Sequence, residues 1–410
     1  MKVSKKLLLA VVAALAALAM IATGCSGGGS TTGGTTGGAT AAKTIDVGIG
    51  APLTAGAVAL GQGMKRGANL AISQMNASDA AKAAGITFKS VDGDDQGDPK
   101  TGVTVANTFA SDPNLVGVMG HLNSGVSIPA SKVYSDKKIV MISPASTNPA
   151  LTTQGLKNVF RVCTTDAVQG PAGADYATKM MKFKSAYVVD DSTPYGEGLA
   201  AEFAKQFAAN GGTVLGTAKT SDKDSDFNAL VTKMKATNPD VIYYGGIYNA
   251  GALLAKQSKD AGMKAPLMGG DGLYDPAFIQ LAGASQAEGD LATSVGLPIA
   301  NLPKGQEFTA AYKAMFPSDE IAAYAAYAYD ATNVILNAVL TVAKAQGADA
   351  VTTPAGRDAI IAAVAATKTS GVTGDIAFDA TGDTTNKAIS LYEVQSGKWA
   401  TKAAAGATAP

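Results

Sequence analysis

A strand–loop–helix pattern that runs through the chain twice constrains its fold more than any other feature. Ile45-Asp46-Val47-Gly48-Ile49-Gly50 reads as a strand opening onto a Pro/Gly loop, followed by a helix from near Gly63 to Asn76 and a strand starting at Ile86-Thr87-Phe88. Val116-Gly117-Val118-Met119-Gly120 and Ile139-Val140-Met141-Ile142-Ser143 are further short apolar runs separated by helical patterns. Alternation at this spacing predicts a parallel sheet covered by helices. The unit then recurs. Leu60-Gly61-Gln62-Gly63-Met64 parallels Tyr195-Gly196-Glu197-Gly198-Leu199, which follows the strand Ala186–Asp190. Asp112–Gly120 parallels Asn238–Gly246, and each copy runs on through a helix to another strand, ending at Ser143-Pro144 and at Gly269-Gly270-Asp271. Two pairs in the same order predict two lobes of one topology.

Composition narrows what such a chain can do. Its 410 residues suffice for two or three domains, and 47% hydrophobic with 16% charged residues supports packed cores. Basic and acidic residues balance at 33 each, so no surplus of positive charge is available for nucleic acid. One histidine and two cysteines exclude most multi-ligand metal sites, Cys-His dyads and disulfide frameworks. Neither a metal nor a cofactor is expected.

The N-terminus reads as an address. Lys2, Lys5 and Lys6 precede the apolar run Leu7–Ala22, and Thr23-Gly24-Cys25 follows. That order describes a secretory signal, and the flank Ser26–Ser30 lacks the basic residues of a stop-transfer segment. Ile21-Ala22-Thr23-Gly24-Cys25 resembles a bacterial lipobox, which implies lipidation of Cys25 and membrane attachment through it. Cleavage would leave 30 basic against 33 acidic residues. Residues 26–43, rich in Gly, Ser, Thr and Ala, are expected to form a flexible tether. The remaining Cys163, inside Phe160-Arg161-Val162-Cys163, reads as a small buried hydrophobe.

In parallel α/β sheets, ligands sit beyond the carboxyl ends of the strands. Two facing lobes would therefore wall a cleft with 52–63, 120–125 and 143–148 on one side, and with 192–198, 245–249 and 269–274 on the other. The first wall offers Asn123, Ser124, Ser143, Ser146, Thr147 and Asn148. Ser124 and Thr147 either converge with free backbone N–H groups on an anion or cap their own helices. On the second wall, Asp271 either pairs with an ammonium or serves as a turn residue of Gly-Gly-Asp-Gly. Tyr195 would cover the apolar part of a ligand. A carboxylate receptor facing an ammonium receptor suits a zwitterion such as an amino acid.

These residues also carry a family resemblance. Gly120-His121-Leu122-Asn123-Ser124 with Pro129-Ala130-Ser131, and Met141–Thr147, resemble the branched-chain amino-acid periplasmic binding proteins. Gln169-Gly170-Pro171, Tyr195–Gly198, Tyr243–Gly246 and Met268–Gly272 continue the match in order, over nearly all of 45–400. The resemblance implies a type I periplasmic-binding-protein fold, two doubly wound parallel-sheet lobes joined by a three-crossing hinge. The lobes would comprise 44–165 with 295–378, and 166–294 with 379–404; the crossings fall near Thr165-Asp166, Thr293-Ser294 and Ala377–Asp379. Helices at Lys304–Phe316 and Ala322–Gln346 would pack on the first lobe, and a strand at Ala388–Tyr392 would finish the second. Ser124, Ala145 and Thr147, with Ser146 by adjacency, would take the ligand carboxylate. Ala145, Thr147 and Asp271 would receive the ammonium, and Tyr195 would pack on the ligand. Leu60 stands where the family has an aromatic, Ile247 where it has a tyrosine (Tyr248 is adjacent), and Asp271 where leucine-type members carry glutamate. Gly97 and Asn123 occupy the places of a disulfide found in some members. The implied protein is a monomer that closes on its ligand and docks on an ABC permease.

Other classes find less support. No Gly-x-Ser-x-Gly elbow surrounds Ser124, and His121 is the sole imidazole. Gly48-Ile49-Gly50-Ala51-Pro52 lacks the third Rossmann glycine, and no Gly-x-x-x-x-Gly-Lys-Ser/Thr loop exists. An enzyme is therefore not expected. A sensory ligand-binding module for amino acids or other small carboxylates is an alternative that residues alone do not separate from transport.

Overall fold

The computed structural model describes residues 42–405. The expected signal, its lipidation residue Cys25 and nearly all of the expected tether lie outside the described residues. Strands β1 (Lys43–Ala51), β2 (Ile86–Asp94), β3 (Leu115–Gly120), β4 (Val140–Ser143) and β5 (Val159–Arg161) form one sheet in the order β2-β1-β3-β4-β5. Every pair in it is parallel. Strands β6 (Ser185–Asp190), β7 (Thr213–Lys219), β8 (Val241–Gly245), β9 (Leu267–Gly269) and β10 (Leu291–Val295) repeat that arrangement as β7-β6-β8-β9-β10. Counting strands within each set, both sheets run 2-1-3-4-5. The repeat seen in the sequence is thus a repeat of topology.

The connections explain the strand chemistry. Crossover helices cover both faces of a parallel sheet, so its inner strands read as continuous apolar runs. Strands β3, β4 and β8 are buried along their whole length. Strand β7 sits at a sheet edge and alternates exposed with half-buried positions. Beyond β10 the chain returns to the first sheet, where β11 (Lys368–Gly371) and β12 (Gly374–Ala377) make a separate antiparallel hairpin. It then crosses back, and β13 (Ile389–Gln395) and β14 (Lys398–Ala405) extend the second sheet antiparallel from β10. The chain therefore passes between the sheets three times, after β5, β10 and β12.

The long helix Ala325–Gln346 packs against the helix Val58–Ala77 and against β3 and β4, which completes the first core. Glycine makes the helix contact possible: a side chain at Gly67 would begin 2.0 Å from the carbonyl oxygen of Ala325. Overpacking of this kind costs about 1–3 kcal/mol, so Gly67→Ala should lower the melting temperature while ligand binding is retained; an unchanged melting temperature would mean the helices part without cost. At the switch point, Gly120 has φ +143° and a side chain there would start 2.3 Å from Gly50 O. Glycine at that position lets the ends of β1 and β3 meet behind the site.

Candidate functional site

Each wall is built from segments that follow parallel strands. After β3, Asn123 precedes the helix Ser124–Asp136, which places Ser124 at its first turn. After β4, the loop 144–148 folds back, and Ser124 Oγ accepts from Asn148 N at 3.2 Å. Ser143 Oγ donates to His121 O at 2.8 Å and accepts from Ser146 N at 2.9 Å, tying the two segments together. Ser146 turns its hydroxyl inward to Leu122 O at 2.9 Å. Arg161 is fully buried behind the loop, with Nη1 donating to Ser146 O at 2.7 Å and Asn148 O at 2.9 Å and Nε on Asp383 Oδ1 at 2.6 Å. A guanidinium with its donors spent on fixed acceptors holds that wall rigid.

His121 is a buried wedge at the foot of the same wall. Its Nδ1 lies 2.6 Å from Asp95 Oδ2 and its Nε2 2.8 Å from Tyr134 Oη. Both ring nitrogens are committed to the first lobe, and only the residue's carbonyl serves the loop. These contacts give it a structural role in the first lobe.

On the second wall, Tyr195 lies in the first turn of the helix Pro194–Ala209, after β6. Asp271 opens the 3-10 turn Asp271–Leu273 after β9. Tyr195 Oη donates to Asp271 Oδ1 at 2.9 Å and accepts from Gly272 N at 3.0 Å. A second phenol, Tyr324, donates to Asp271 Oδ2. Asp271 has no exposure, and burial raises its carboxyl above the usual range, an effect that Tyr324, Tyr195 and Gln169 oppose. Burial likewise raises the phenols of Tyr195 and Tyr324 well above theirs.

The walls meet around a cavity of about 20 Å³ lined by Leu60, Leu122, Asn123, Ser124, Ala145, Tyr195, Ile247, Gly272 and Tyr324. Of the residues expected at the site, Leu60, Ser124, Ala145, Tyr195 and Ile247 line it directly. Asp271 stands behind Tyr195 and Tyr324, bonded to both. Ser146, Thr147 and Tyr248 do not line it. Tyr248 Oη instead accepts from Ala59 N at 3.2 Å, across the two lobes. Thr147 Oγ1 is buried beside the Asp166 carboxyl without a well-formed hydrogen bond. Asn148 Nδ2 donates to Pro194 O at 2.6 Å, a third link between the walls beside Tyr248–Ala59 and Tyr324–Asp271.

Tyr324 lines the cavity and bonds Asp271, although the sequence does not single it out. A helix beginning at Ala322 makes Tyr324 one packing residue among many. The helix starts at Ala325, and Tyr324 flanks it in a non-helical conformation that reaches Asp271. The run Ala322-Ala323-Tyr324 was the available signal, an aromatic where an Ala-rich helix begins.

Among the described residues, no group of three or more His, Cys, Asp or Glu side chains is placed to hold a metal ion. No helix among them is long and apolar enough to cross a membrane. Cys163 is buried, and burial pushes its thiol well above the range in which a thiolate forms.

A periplasmic binding protein family profile matches residues 44–398. The chain belongs to that family. Relatives agree over most of their length. The chain is 35% identical over 363 residues to Leu/Ile/Val-binding protein homolog 2 of Brucella abortus, covering 86% of this chain and 91% of the relative. It is 34% identical to the Leu/Ile/Val-binding protein BraC3 of Rhizobium johnstonii, covering 86% and 92%. Among solved structures, the leucine binding protein LivK of Thermotoga maritima superposes with a TM-score of 0.80 at 27% identity, covering 88% of this chain and 99% of that one. LivJ of Streptococcus pneumoniae, a branched-chain amino acid transporter substrate binding protein in complex with isoleucine, gives 0.78 at the same identity and coverage. The fold is the type I periplasmic-binding-protein fold. Family membership makes the chain a solute-binding protein rather than an enzyme, working outside the cytoplasm.

Proposed function

We propose that this periplasmic binding protein captures an amino acid, branched-chain or similar, between its two lobes and delivers it to an ABC permease while anchored to a membrane by lipid on Cys25. The observation that carries the reading is the pairing of opposite receptors around one cavity. Ser124 and Ala145 line it from the first wall, and the buried Asp271 closes it from the second through two phenol hydroxyls. Ser124, the backbone at Ala145 and Thr147, with Ser146 bracing the loop, take the carboxylate. Asp271 takes the ammonium and Tyr195 covers the ligand. Leu60 and Ile247 wall the side chain, and Tyr248 bolts the lobes together beside it. The relatives named for leucine, isoleucine and valine support the amino-acid class.

The mechanism follows from the size of the space. Ligand pockets run to about 300–1,000 Å³, whereas about 20 Å³ holds little more than a water. An amino acid therefore enters only when the lobes part, breaking the Tyr248–Ala59, Asn148–Pro194 and Tyr324–Asp271 bonds. Lobes 44–165 with 295–378 and 166–294 with 379–404 move about the three crossings. Ligand contacts made from both sides favour the closed population by their differential affinity. A micromolar dissociation constant corresponds to about −8 kcal/mol, enough to offset the loss of three hydrogen bonds. The closed protein works as a monomer.

A melting-temperature screen tests this reading, since a ligand that binds only the native state raises the transition. Leucine, isoleucine or valine should raise it by several degrees. Leucinamide, lacking the carboxylate, and 4-methylpentanoate, lacking the ammonium, should not. A shift from either analogue as large as that from leucine would sink the zwitterion assignment.

A further inference from the structure

Tyr324 stands between two spaces of very different size. On one side is the cavity of about 20 Å³. On the other is a cavity of about 820 Å³, lined among others by Ala322, Ala323, Tyr274, Tyr327, Tyr392 and Trp399. Both walls run from one into the other. On the first wall Tyr324 lines the small space, while its neighbour Ala323 lines the large one. On the second, Gly272 lines the small space and Tyr274 the large one, two residues further on. The hydrogen bond from Tyr324 to Asp271 spans the gap between those walls.

We infer that Tyr324 is a specificity-determining gate, whose ring confines the ligand to a short aliphatic side chain and shuts it off from a neighbouring subsite suited to aromatic or long apolar side chains. The inference rests on the amino-acid reading of the site. Two observations set the chemistry of that subsite. Its aromatic walls are fixed: Tyr327 Oη donates to Val295 O at 2.7 Å, and Tyr274 stacks on Tyr392 with ring centroids 4.0 Å apart. Fixed rings offer faces to another ring. Ala322 and Ala323 are small members of its lining, and its volume of about 820 Å³ leaves space for a bulky group. The small cavity presents Leu60, Leu122 and Ile247, aliphatic surfaces that match a short branched chain.

The ring of Tyr324, rather than its hydroxyl, is the barrier, and this separates a gate from a merely structural tyrosine. In Tyr324→Phe the ring stays. In Tyr324→Ala the two spaces join. Calorimetry of leucine, phenylalanine and tryptophan binding to the wild type and both variants reads the difference. Excluding groups from an apolar pocket is worth about 10–200-fold. The ratio of leucine to phenylalanine affinity should therefore fall at least about tenfold in Tyr324→Ala and stay within about threefold of wild type in Tyr324→Phe. Trp399, the only tryptophan, lines the larger space and gives an independent signal. Its emission should respond to phenylalanine in Tyr324→Ala and not in the wild type. If the wild type binds leucine and the folded Tyr324→Ala variant keeps the wild-type ratio, the gate is wrong and the amino-acid reading survives. If the wild type binds none of the three amino acids, both fall.

Discussion

Asp271→Ala should reduce amino-acid affinity by about 30-fold to several thousand-fold, the equivalent of roughly 2–5 kcal/mol for truncating one partner of a buried charge pair. The size of the effect follows from isolation. Asp271 has no exposure, and no carboxylate is among the residues that line the cavity. An ammonium brought into that space without Asp271 loses its hydration and gains no counter-charge. Stability should respond far less. The substitution strands the Tyr195 and Tyr324 hydroxyls, each at about 1–3 kcal/mol if left unsatisfied, but it also removes a desolvated carboxylate whose pKa burial has raised. These terms oppose each other, so the melting temperature without ligand should move by only a few degrees. Calorimetry with leucine, run beside a thermal melt, reads both. Affinity within threefold of wild type would remove Asp271 from the ammonium site. Asp271→Asn keeps the acceptor oxygen without the charge, and should lose most of the affinity while disturbing the phenols less.

Why some of this site could be read from residues, and some not, comes down to the range of each interaction. Leu60 and Tyr195 were paired because each begins the helix after the first strand of its repeat, and both line the cavity. Local periodicity encodes that placement, and the shared 2-1-3-4-5 order carries it into space. Only adjacency to Ala145 and Thr147 points to Ser146. Its hydroxyl is held by Leu122 O, 24 residues earlier, and the residue does not line the cavity. Tyr324 is not legible in the sequence because its partner Asp271 is 53 residues distant and belongs to the other wall. Nothing in an Ala/Tyr run announces such a contact. Strand β14 is similar. Lys398-Trp399-Ala400-Thr401-Lys402-Ala403-Ala404-Ala405 has the composition of a helix, and it is extended because β13 offers an antiparallel edge. Tertiary pairing overrides propensity there. Closure of the walls to about 20 Å³ depends on hydrogen bonds formed only once both lobes exist.

A second large effect should come from a buried carboxyl outside the cavity lining. Asp166 begins the helix Asp166–Asp175 at the first crossing, and its N–H donates to Thr147 O at 3.0 Å. Its side chain is buried, and neither carboxyl oxygen has a well-formed hydrogen bond. Burial pushes its pKa up to about 8. Asp271 and Glu202 push the same way; Thr147 and Arg161 oppose them. The fold therefore holds a proton on Asp166 at neutral pH that the unfolded chain, with an ordinary carboxyl near 3.8, releases. Because the native state binds more protons between those two values, the stabilising contribution is complete below about pH 4 and is lost as pH rises through about 8. At roughly 1.4 kcal/mol per unit, the loss is of order 6 kcal/mol at most. Asp290, also raised to about 8 by burial, adds a slope of the same sign. The melting temperature of the wild type should thus fall between pH 5 and pH 8, as about the linkage sign requires. Asp166→Asn carries no proton to lose, so its advantage over wild type should be small near pH 5 and grow to several degrees near pH 8. Taking the difference between the two proteins cancels the acids that titrate in both, including Asp94 and Asp240, whose hydrogen bonds lower their pKa and whose contribution is lost only in acid. A variant-minus-wild-type difference that is flat across this range would mean that Asp166 is ionised in the fold, with a counter-charge or solvent reaching it at the crossing.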